Sequence, residues 1–283
     1  MTDGYNQITW FVSRGGYQWR SMRPLKTEIG PLDNRSAKYI SDLVAEGSQV
    51  DVRAYAPLSN TGLFLQFADL DPSQEDIKTF VSEFGLLTRG EPLQLESSSG
   101  RSHITRGESL RFWREEIGNL RRAVELWTAL RDGATDVIAR RVRWDGSWAV
   151  AYHDESLRMW IAAEEFSPEL LRIFPPGNIV KPAWHALLRI VNAKLQDTAS
   201  PQLRWASSDM TRPALYQCPR DLLSALWLQF ARAIDGKRAY ARCQECRNRF
   251  EINSPDGSRS DKQFCTTACR ARNWRKRRKG QQS

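Results

Sequence analysis

The chain has 283 residues, of which 41% are apolar and 27% charged, which is ordinary for a globular protein with a sizeable core. Its longest apolar runs, such as residues 62–68, are far shorter than the roughly 20 residues of a membrane-spanning helix. No basic segment followed by an apolar run opens the chain, so we expect no secretory signal and a cytoplasmic location.

The formal net charge of +9 is concentrated at one end of the chain. Residues 236–283 hold 14 of the 42 Lys and Arg but only 4 of the 33 Asp and Glu, a net charge of +10. The first 235 residues therefore sum to −1. This asymmetry predicts a basic arm for a polyanion on a body of balanced charge, with a merely solubilising tail as the alternative.

Three early segments, rich in β-branched and aromatic side chains, predict β-strands. They are residues 7–12, 49–58 and 62–68. Residues 36–47 instead predict a short helix that ends at Gly47. Residues 70–85 predict a longer helix, with Asp71 as its N-cap and Pro72 at its first position. The buried stripe of that helix would consist of Ile77, Phe80, Val81 and Phe84.

A Ser- and Gly-rich stretch at residues 95–108 predicts a loop, or a linker at a further domain boundary. After it, apolar residues recur at spacings of three and four, which predicts a long amphipathic helix over residues 110–127. The stripe consists of Leu110, Trp113, Ile117, Leu120, Val124 and Trp127. It is shorter than three heptads, so a core-facing helix is favoured over a coiled-coil dimer seam.

The rest of the body predicts two hairpins and two further helices. The hairpins are expected within residues 138–154, around an Asp-Gly turn, and within residues 202–218. The helices are expected over residues 182–195 and 222–234, each with an apolar face. We therefore expect an α+β body over residues 1–235.

Four of the five cysteines form the pattern C-x2-C, an 18-residue gap and C-x3-C, namely Cys243, Cys246, Cys265 and Cys269. A tight turn directs two sulfurs to one point, and residues four apart share a helix face, so two elements can surround one ion. Four soft thiolates favour a structural, tetrahedral zinc. Two disulfides, unligated thiols and an iron–sulfur cluster are the alternatives, although disulfides need an oxidising compartment. Cys218 lies apart and is expected to be a buried, inert thiol.

The sequence between the two cysteine pairs predicts a small metal-dependent fold. Residues 247–265 predict a strand, a Pro-Asp-Gly turn and a returning segment, with Phe250 and Phe264 as apolar plugs. Thr266 or Thr267 would cap the helix that follows. The turn that carries Cys243 and Cys246, here called the knuckle, is followed by a hairpin and a helix, which is the order of a treble clef. So small a unit depends on metal to fold.

The residues "RCQECRNRF" followed by "FCTTACRARNWRKR" resemble the C-terminal zinc finger of the CGNR type. They also resemble the "FC-S/T-x-x-C-R" fingers at the ends of bacterial, actinobacterial-type proteins. The resemblance covers about residues 220–279 and includes the helix before the finger. It implies that the four cysteines are zinc ligands and that the protein regulates transcription. Where the name-giving family has Cys-Gly-Asn-Arg, this chain has Cys269-Arg270-Ala271-Arg272.

The final segment predicts a strongly basic helix, with no Pro or Gly before Gly280. Its close like charges repel one another, and a phosphate backbone would relieve that repulsion while releasing counterions. The candidates for phosphate contact are Arg270, Arg272, Arg275, Lys276, Arg277 and Arg278. Trp274 either packs onto the finger, which is the favoured interpretation, or lies against a sugar or base.

The usual catalytic signatures are missing from the sequence. It has no nucleophile elbow, phosphate-binding loop or dinucleotide fingerprint. Its three histidines, at positions 103, 153 and 185, are scattered and interpreted as surface or structural residues. A treble-clef nuclease needs a histidine near the finger and an open metal position, whereas four cysteines close the site. We therefore predict no enzymatic activity.

Together these patterns predict a zinc-dependent nucleic-acid-binding protein, with a zinc finger over residues 236–280. DNA binding as a transcription regulator is the first interpretation, with a body that senses a small molecule or a protein partner. RNA binding is an alternative, because arginine-rich helices also bind RNA. A protein-interaction module, as in phage defence or a toxin system, is another. No membrane partner is expected, because the basic helix lacks a broad apolar face.

Overall fold

The computed structural model describes the protein over most of its length. The described residues are 8–24, 40–45, 51–96, 102–145, 149–152, 160–161, 177–196, 199–205, 213–236, 239–246, 249–252 and 261–280. The chain divides into two compact units, Met1–Gly118 with Thr198–Ser283 and, between them in sequence, Asn119–Asp197. The fold is mixed α+β, as the sequence predicts. The predicted boundary between residues 235 and 236 stays a prediction.

The structure contains thirteen strands in its described part. In chain order they are β1 (Trp10–Ser13), β2 (Tyr17–Pro24), β3 (Ile40–Ala45), β4 (Val52–Tyr55), β5 (Glu91–Glu96), β6 (Ser102–Ser109), β7 (Val142–Asp145), β8 (Ala149–Tyr152), β9 (Trp160–Ile161), β10 (Ala199–Trp205), β11 (Pro213–Pro219), β12 (Ala239–Arg242) and β13 (Arg249–Ile252).

Seven α-helices accompany these strands in the same described part. They are α1 (Leu63–Asp69), α2 (Gln74–Phe84), α3 (Leu110–Asp132), α4 (Thr135–Ala139), α5 (Val180–Gln196), α6 (Leu222–Asp235) and α7 (Thr267–Gly280). None of the described helices is both long and apolar enough to cross a membrane.

The first unit is built from antiparallel pairs of strands. β1 pairs with β4, β10 with β11, and β12 with β13. β2 pairs with both β3 and β5, and β6 pairs with the same two strands, so these four close on one another. In the second unit, β8 lies between β7 and β9.

Helix α6 is the centre of the first unit's core. Its sequence is apolar around almost its whole circumference, and nine of its residues are buried. Asp221 caps it by accepting a 2.8 Å hydrogen bond from the Ser224 amide. The ring of Phe230 packs against that of Phe64 on α1, with centroids 5.6 Å apart. This packing places α1 directly between the core and the cysteine-rich end of the chain.

A buried glutamine on α6 ties the core to the segment before α1. The side-chain amide nitrogen of Gln229 donates to the carbonyl oxygens of Pro57 and Asn60, both at 2.9 Å. Its Oε1 accepts from the Phe64 amide at 3.2 Å. This side chain therefore supplies the acceptor of the Phe64 amide and adds a second donor to the Pro57 and Asn60 carbonyls, which also accept from the amides of Asn60 and Leu63.

Two predicted elements have the wrong type. Residues 62–68 form helix α1 instead of a strand, because a short apolar run buried on several sides has no periodicity to distinguish the two. Residues 36–47 do not form a helix where they are described, since Ile40–Ala45 is strand β3 between β2 and β6. Pairing on both edges overrides the local helix preference there.

The predicted loop at residues 95–108 is also wrong. Its described residues belong to β5 and β6, which pair from Glu91 with Gly107 to Glu96 with Ser102. The possible domain boundary within this stretch stays a prediction. The remaining residues of the predicted loop lie outside the described ranges.

The strongly periodic predictions are confirmed. The stripe of α3 is buried from Trp113 to Trp127, as a core-facing helix requires. Helix α2 buries Ile77, Phe80, Val81 and Phe84, but it begins at Gln74 with Ser73 as its cap. Asp71 instead accepts a hydrogen bond from the Ser73 amide. The other two predicted helices correspond to α5 and α6.

Both predicted hairpins of the later body are present. β7 pairs with β8, and Asp145 lies opposite Ala149. The rest of the predicted Asp-Gly turn, residues 146–148, lies outside the described residues. β10 and β11 pair over their full length, from Ala199 with Pro219 to Trp205 with Pro213. Cys218, on β11, is buried, as predicted.

We predict that Gln229→Met lowers the free energy of unfolding by about 2 kcal/mol, because a side chain of similar length leaves the buried Phe64 amide unpaired and removes one donor from each of the Pro57 and Asn60 carbonyls. Urea denaturation measures the change. Gln217→Met, at an exposed position of β11, is the matched control and should change stability by less than about 0.5 kcal/mol. Equal effects of the two substitutions would contradict the role of Gln229.

Candidate metal centre

The sulfur atoms of Cys243, Cys246, Cys265 and Cys269 all lie within 4.8 Å of one another. The Cys265 sulfur is 3.5 Å from those of Cys246 and Cys269. These distances exclude disulfide bonds, whose sulfurs are about 2 Å apart. Zinc–thiolate bonds of about 2.3 Å give a tetrahedron with edges of about 3.8 Å, so the four sulfurs fit one such ion.

The first pair of ligands lies at the turn between β12 and β13. Cys243 follows β12 directly, and Cys246 lies in the turn that leads to β13. The sequence predicted that the strand after Cys246 would pair with residues near Cys265. It pairs instead with β12, from Arg242 with Arg249 to Ala239 with Ile252. The knuckle is therefore the tip of the hairpin, where backbone pairing on both sides holds it.

The second pair is positioned by the start of helix α7. The Gln244 amide donates a 3.0 Å hydrogen bond to the Gln263 carbonyl, which holds the segment before Cys265 against the knuckle. Thr266 caps α7, because its hydroxyl accepts from the Cys269 amide at 3.2 Å, as the sequence predicts. Cys269 therefore lies in the first helical turn, where its sulfur can face the other three.

The cysteines themselves form much of the small core at this end of the chain. Cys243, Cys269 and Phe250 are buried together, with Phe264 packed against them. Phe250 and Phe264 are thus the two apolar plugs that the sequence predicts. The cluster contains few apolar side chains besides the cysteines, so little hydrophobic burial is available to hold it together.

A second layer of polar contacts surrounds the sulfurs. The Arg272 guanidinium donates a 3.1 Å hydrogen bond to the Cys269 sulfur. Glu245, between the first two cysteines, forms a 2.7 Å ion pair with Lys276 and accepts from Asn273. This places the face of α7 that carries residues 272, 273 and 276 against the knuckle, and it fixes the helix direction.

The environment shifts the pKa values of the thiols in opposite directions. For Cys243, burial opposes ionisation, but amide donors from Cys246, Cys265 and Glu245 outweigh it and lower the pKa to about 6. Hydrogen bonds from Thr266 and Arg272 lower the pKa of Cys269. Burial and donation to neighbouring sulfurs raise the pKa of Cys265 to about 12.

The hairpin carrying the knuckle is packed on α1. Tyr240 contacts Phe64 edge to face, with ring centroids 5.4 Å apart. Asp69 at the end of α1 forms ion pairs with Arg249 at 2.9 Å and Arg242 at 3.4 Å. A side chain at Gly62 would bring its Cβ to 2.5 Å from the Arg249 carbonyl oxygen, so this close approach requires glycine.

The six predicted phosphate-contacting residues all lie on α7, but they differ in their surroundings. Arg272 and Lys276 are held by Cys269 and Glu245, on the side of the knuckle. Arg270, Arg275 and Arg277 are exposed, and no ion pair to them is found within the described part of the chain. The Arg278 guanidinium lies over the Trp274 ring, 4.7 Å from its centroid.

Trp274 does not pack onto the finger as fully as the sequence interpretation favours, since 57% of it is exposed. It lines a groove of about 440 Å³ beside α7, together with Phe264, Arg270 and Arg277. A half-exposed indole in a groove that two arginines also line is available to a flat ring or to a sugar.

Sequence reasoning missed the polar contacts behind the ligands. Glu245 lies between two cysteines and is the only acidic residue in the knuckle. Its charge could have predicted an ion pair with the basic helix. The contacts of Asp69 with Arg242 and Arg249 had no local signal, because they join residues more than 170 positions apart.

Comparisons with known proteins found no match: no family model, curated protein or solved structure is similar to the chain at a significant level. The resemblance to CGNR-type fingers therefore stays a prediction. The four-cysteine cluster is established by its own geometry.

We predict that the reduced protein binds one equivalent of Co²⁺ with the visible absorption of tetrahedral thiolate coordination. Cys243→Ser should abolish this spectrum, because the buried Cys243 sulfur is one of the four ligands. Cys218→Ser is the matched control, since Cys218 is also buried but lies outside the cluster. Loss of the spectrum in the control, or its retention in Cys243→Ser, would contradict the assignment.

We also predict that the apparent affinity for Zn²⁺ rises between about pH 6 and about pH 8, because the bound form carries fewer protons on sulfur than the free form. The pKa of Cys265 is raised by its burial and by the neighbouring sulfurs, so this thiol gives up a proton when it becomes a ligand. Competition with a chelator of known affinity, at several pH values, measures this. An affinity independent of pH would be inconsistent with four thiolate ligands.

Proposed function

We propose that the protein binds nucleic acid through a zinc-stabilised treble-clef finger, and that DNA is the first candidate ligand. The observation that carries the proposal is the position of the cysteine cluster at the start of α7. Cys269 lies in the first turn of this helix, so an ion in the cluster would fix the helix and the cations it carries.

The distribution of charge on α7 supports this proposal. The face toward the knuckle is held by Glu245, Asn273 and the Cys269 sulfur. Arg270 and Arg277 are close together around the helix, and Arg275 lies on another part of its exposed surface. Arginine is suited to phosphate oxygens because its planar guanidinium can donate two parallel hydrogen bonds. Phosphate groups that contact these three exposed guanidinium groups would release their counterions.

The zinc would have a structural role in this proposal. Four cysteine ligands leave no coordination position for a substrate, so we assign the finger no catalytic step. The remaining body, residues 1–235, is proposed to sense a small molecule or a partner, and the whole to act as a transcription regulator in the cytoplasm. A finger that docks a partner protein is the alternative from a different class.

The groove beside Trp274 favours a second candidate ligand, single-stranded nucleic acid such as RNA. Its half-exposed indole, in a groove that Arg270 and Arg277 also line, could stack an unpaired base while the cations contact phosphate. Duplex DNA would use the guanidinium groups without this stacking. The relative affinity for duplex and single strands therefore distinguishes the two ligands.

We predict that the triple substitution Arg270→Gln, Arg275→Gln and Arg277→Gln weakens binding to random duplex DNA by at least tenfold. It should also reduce the slope of log affinity against log salt by about 0.9 for each phosphate that the variant no longer neutralises. Fluorescence anisotropy at several salt concentrations measures both quantities. The same assay with single-stranded RNA tests the second candidate.

The matched control is the triple substitution Arg111→Gln, Arg140→Gln and Arg204→Gln, which removes the same charge outside the finger. It should leave the salt slope unchanged. Cys243→Ser should lose binding together with the metal. Unchanged affinity and slope in the α7 variant would refute nucleic-acid binding by this helix and leave the protein-docking alternative.

A further inference from the structure

A cavity of about 720 Å³ lies in the first unit, away from the cysteine cluster. It lies beside the β1–β4 pair. Residues 86–89, after α2, and Arg220, just before the cap of α6, also line it. This volume is within the range of about 300–1,000 Å³ that is typical of small-molecule sites. Nothing proposed above for the finger uses it.

The walls of the cavity are fixed by specific contacts. The Trp10 indole donates a 2.9 Å hydrogen bond to the Leu86 carbonyl. Gly85 allows this approach, because its φ of 83° suits glycine and a Cβ there would lie 2.8 Å from the Phe11 carbonyl oxygen. The Tyr55 hydroxyl donates to the Phe84 carbonyl at 2.8 Å. The aromatic side of the cavity is thus preformed.

A buried carboxyl group, that of Glu108, fixes the segment that brings Thr88 and Arg89 to the cavity. Glu108 on β6 accepts from the amides of Leu87 and Thr88, at 3.0 and 2.6 Å, and from the Thr88 hydroxyl at 2.7 Å. The Leu87 carbonyl accepts from the Leu223 amide at 2.8 Å, at the start of α6. The segment that presents Thr88 and Arg89 to the cavity is therefore tied to two elements.

The charge at the mouth of the cavity is positive. Arg89, Arg106 and Arg220 line it, and all three are exposed. No acidic residue is among the described residues that line it. The nearby carboxylates have other roles, because Glu108 holds the wall and Asp221 caps α6 while lying 3.7 Å from the Arg220 guanidinium. Within the described part of the chain, the only ion pair of these three arginines is that of Arg220 with Asp221, so their charge favours anions from solution.

The floor is apolar and aromatic. Trp10, Phe11, Val52 and Leu86 line the cavity, and 54% of Phe11 is exposed. A flat apolar body would bury these surfaces, while a carboxylate or phosphate group would reach the arginines. Inorganic phosphate alone would leave the apolar floor uncovered.

We propose that this cavity binds a small organic anion, with a flat apolar body against Trp10 and Phe11 and its charged group on the three arginines. Binding of the anion does not depend on the proposed function, and only the role of residues 1–235 as a sensor rests on it. The cavity's segment at Leu87 contacts α6, and α6 carries the Gln229 that holds the loop before α1. The site and the finger are therefore joined through packed elements of the same unit.

Two fluorescent probes of the same shape test the proposal in the full-length, zinc-loaded protein without nucleic acid. Anilinonaphthalene sulfonate carries the anion, and N-phenylnaphthylamine is its neutral counterpart. We expect the wild-type protein to bind the sulfonate at least tenfold more tightly than the neutral probe. The double variant Arg89→Gln/Arg220→Gln should weaken the sulfonate at least tenfold and change the neutral probe less than twofold.

The control variant is Arg270→Gln/Arg277→Gln, which removes two cations from the other aromatic groove, beside Trp274. It should leave sulfonate binding within twofold of wild type. Equal binding of the two probes by the wild-type protein would overturn the proposal, as would loss of sulfonate binding only in this control. Neither result depends on nucleic-acid binding, so the cavity and the finger can fail separately.

Discussion

The convergence of four cysteine sulfurs is the constraint on which the end of this protein depends. Thiolates within 4.8 Å of one another repel, and few apolar side chains among the described residues pack there to offset that repulsion. One divalent, thiophilic cation removes the repulsion by taking four sulfurs as ligands. Knuckle, hairpin and basic helix then become one rigid object.

That object is joined to the rest of its unit by ordinary packing. Tyr240 lies against Phe64, and Asp69 pairs with Arg249, at the position where Gly62 allows the backbones to approach. Behind α1, Gln229 and Phe230 connect the same contacts to the centre of the core. These contacts on both sides of α1 orient the cysteine-rich hairpin and α7 relative to the core.

The sequence allowed prediction of those parts in which short-range chemistry decides the structure. The spacing of Cys243, Cys246, Cys265 and Cys269 predicted the cluster, and the stripe of α3 predicted its buried face. Prediction failed where contacts with residues distant in sequence decide the structure. Residues 62–68 are a helix because they are surrounded, and Ile40–Ala45 is a strand because two neighbours pair with it. The arginine-lined cavity joins residues from six separate segments, so no local pattern in the sequence predicts it.

The central claim is that the four cysteines hold one metal ion. Native mass spectrometry of the purified, reduced protein tests it most directly. The account predicts a mass above that of the chain by one zinc ion less the protons displaced from sulfur, and a return to the chain mass after chelation and acidification. A protein at the bare chain mass, or one lighter by the hydrogens of two disulfides, would contradict it.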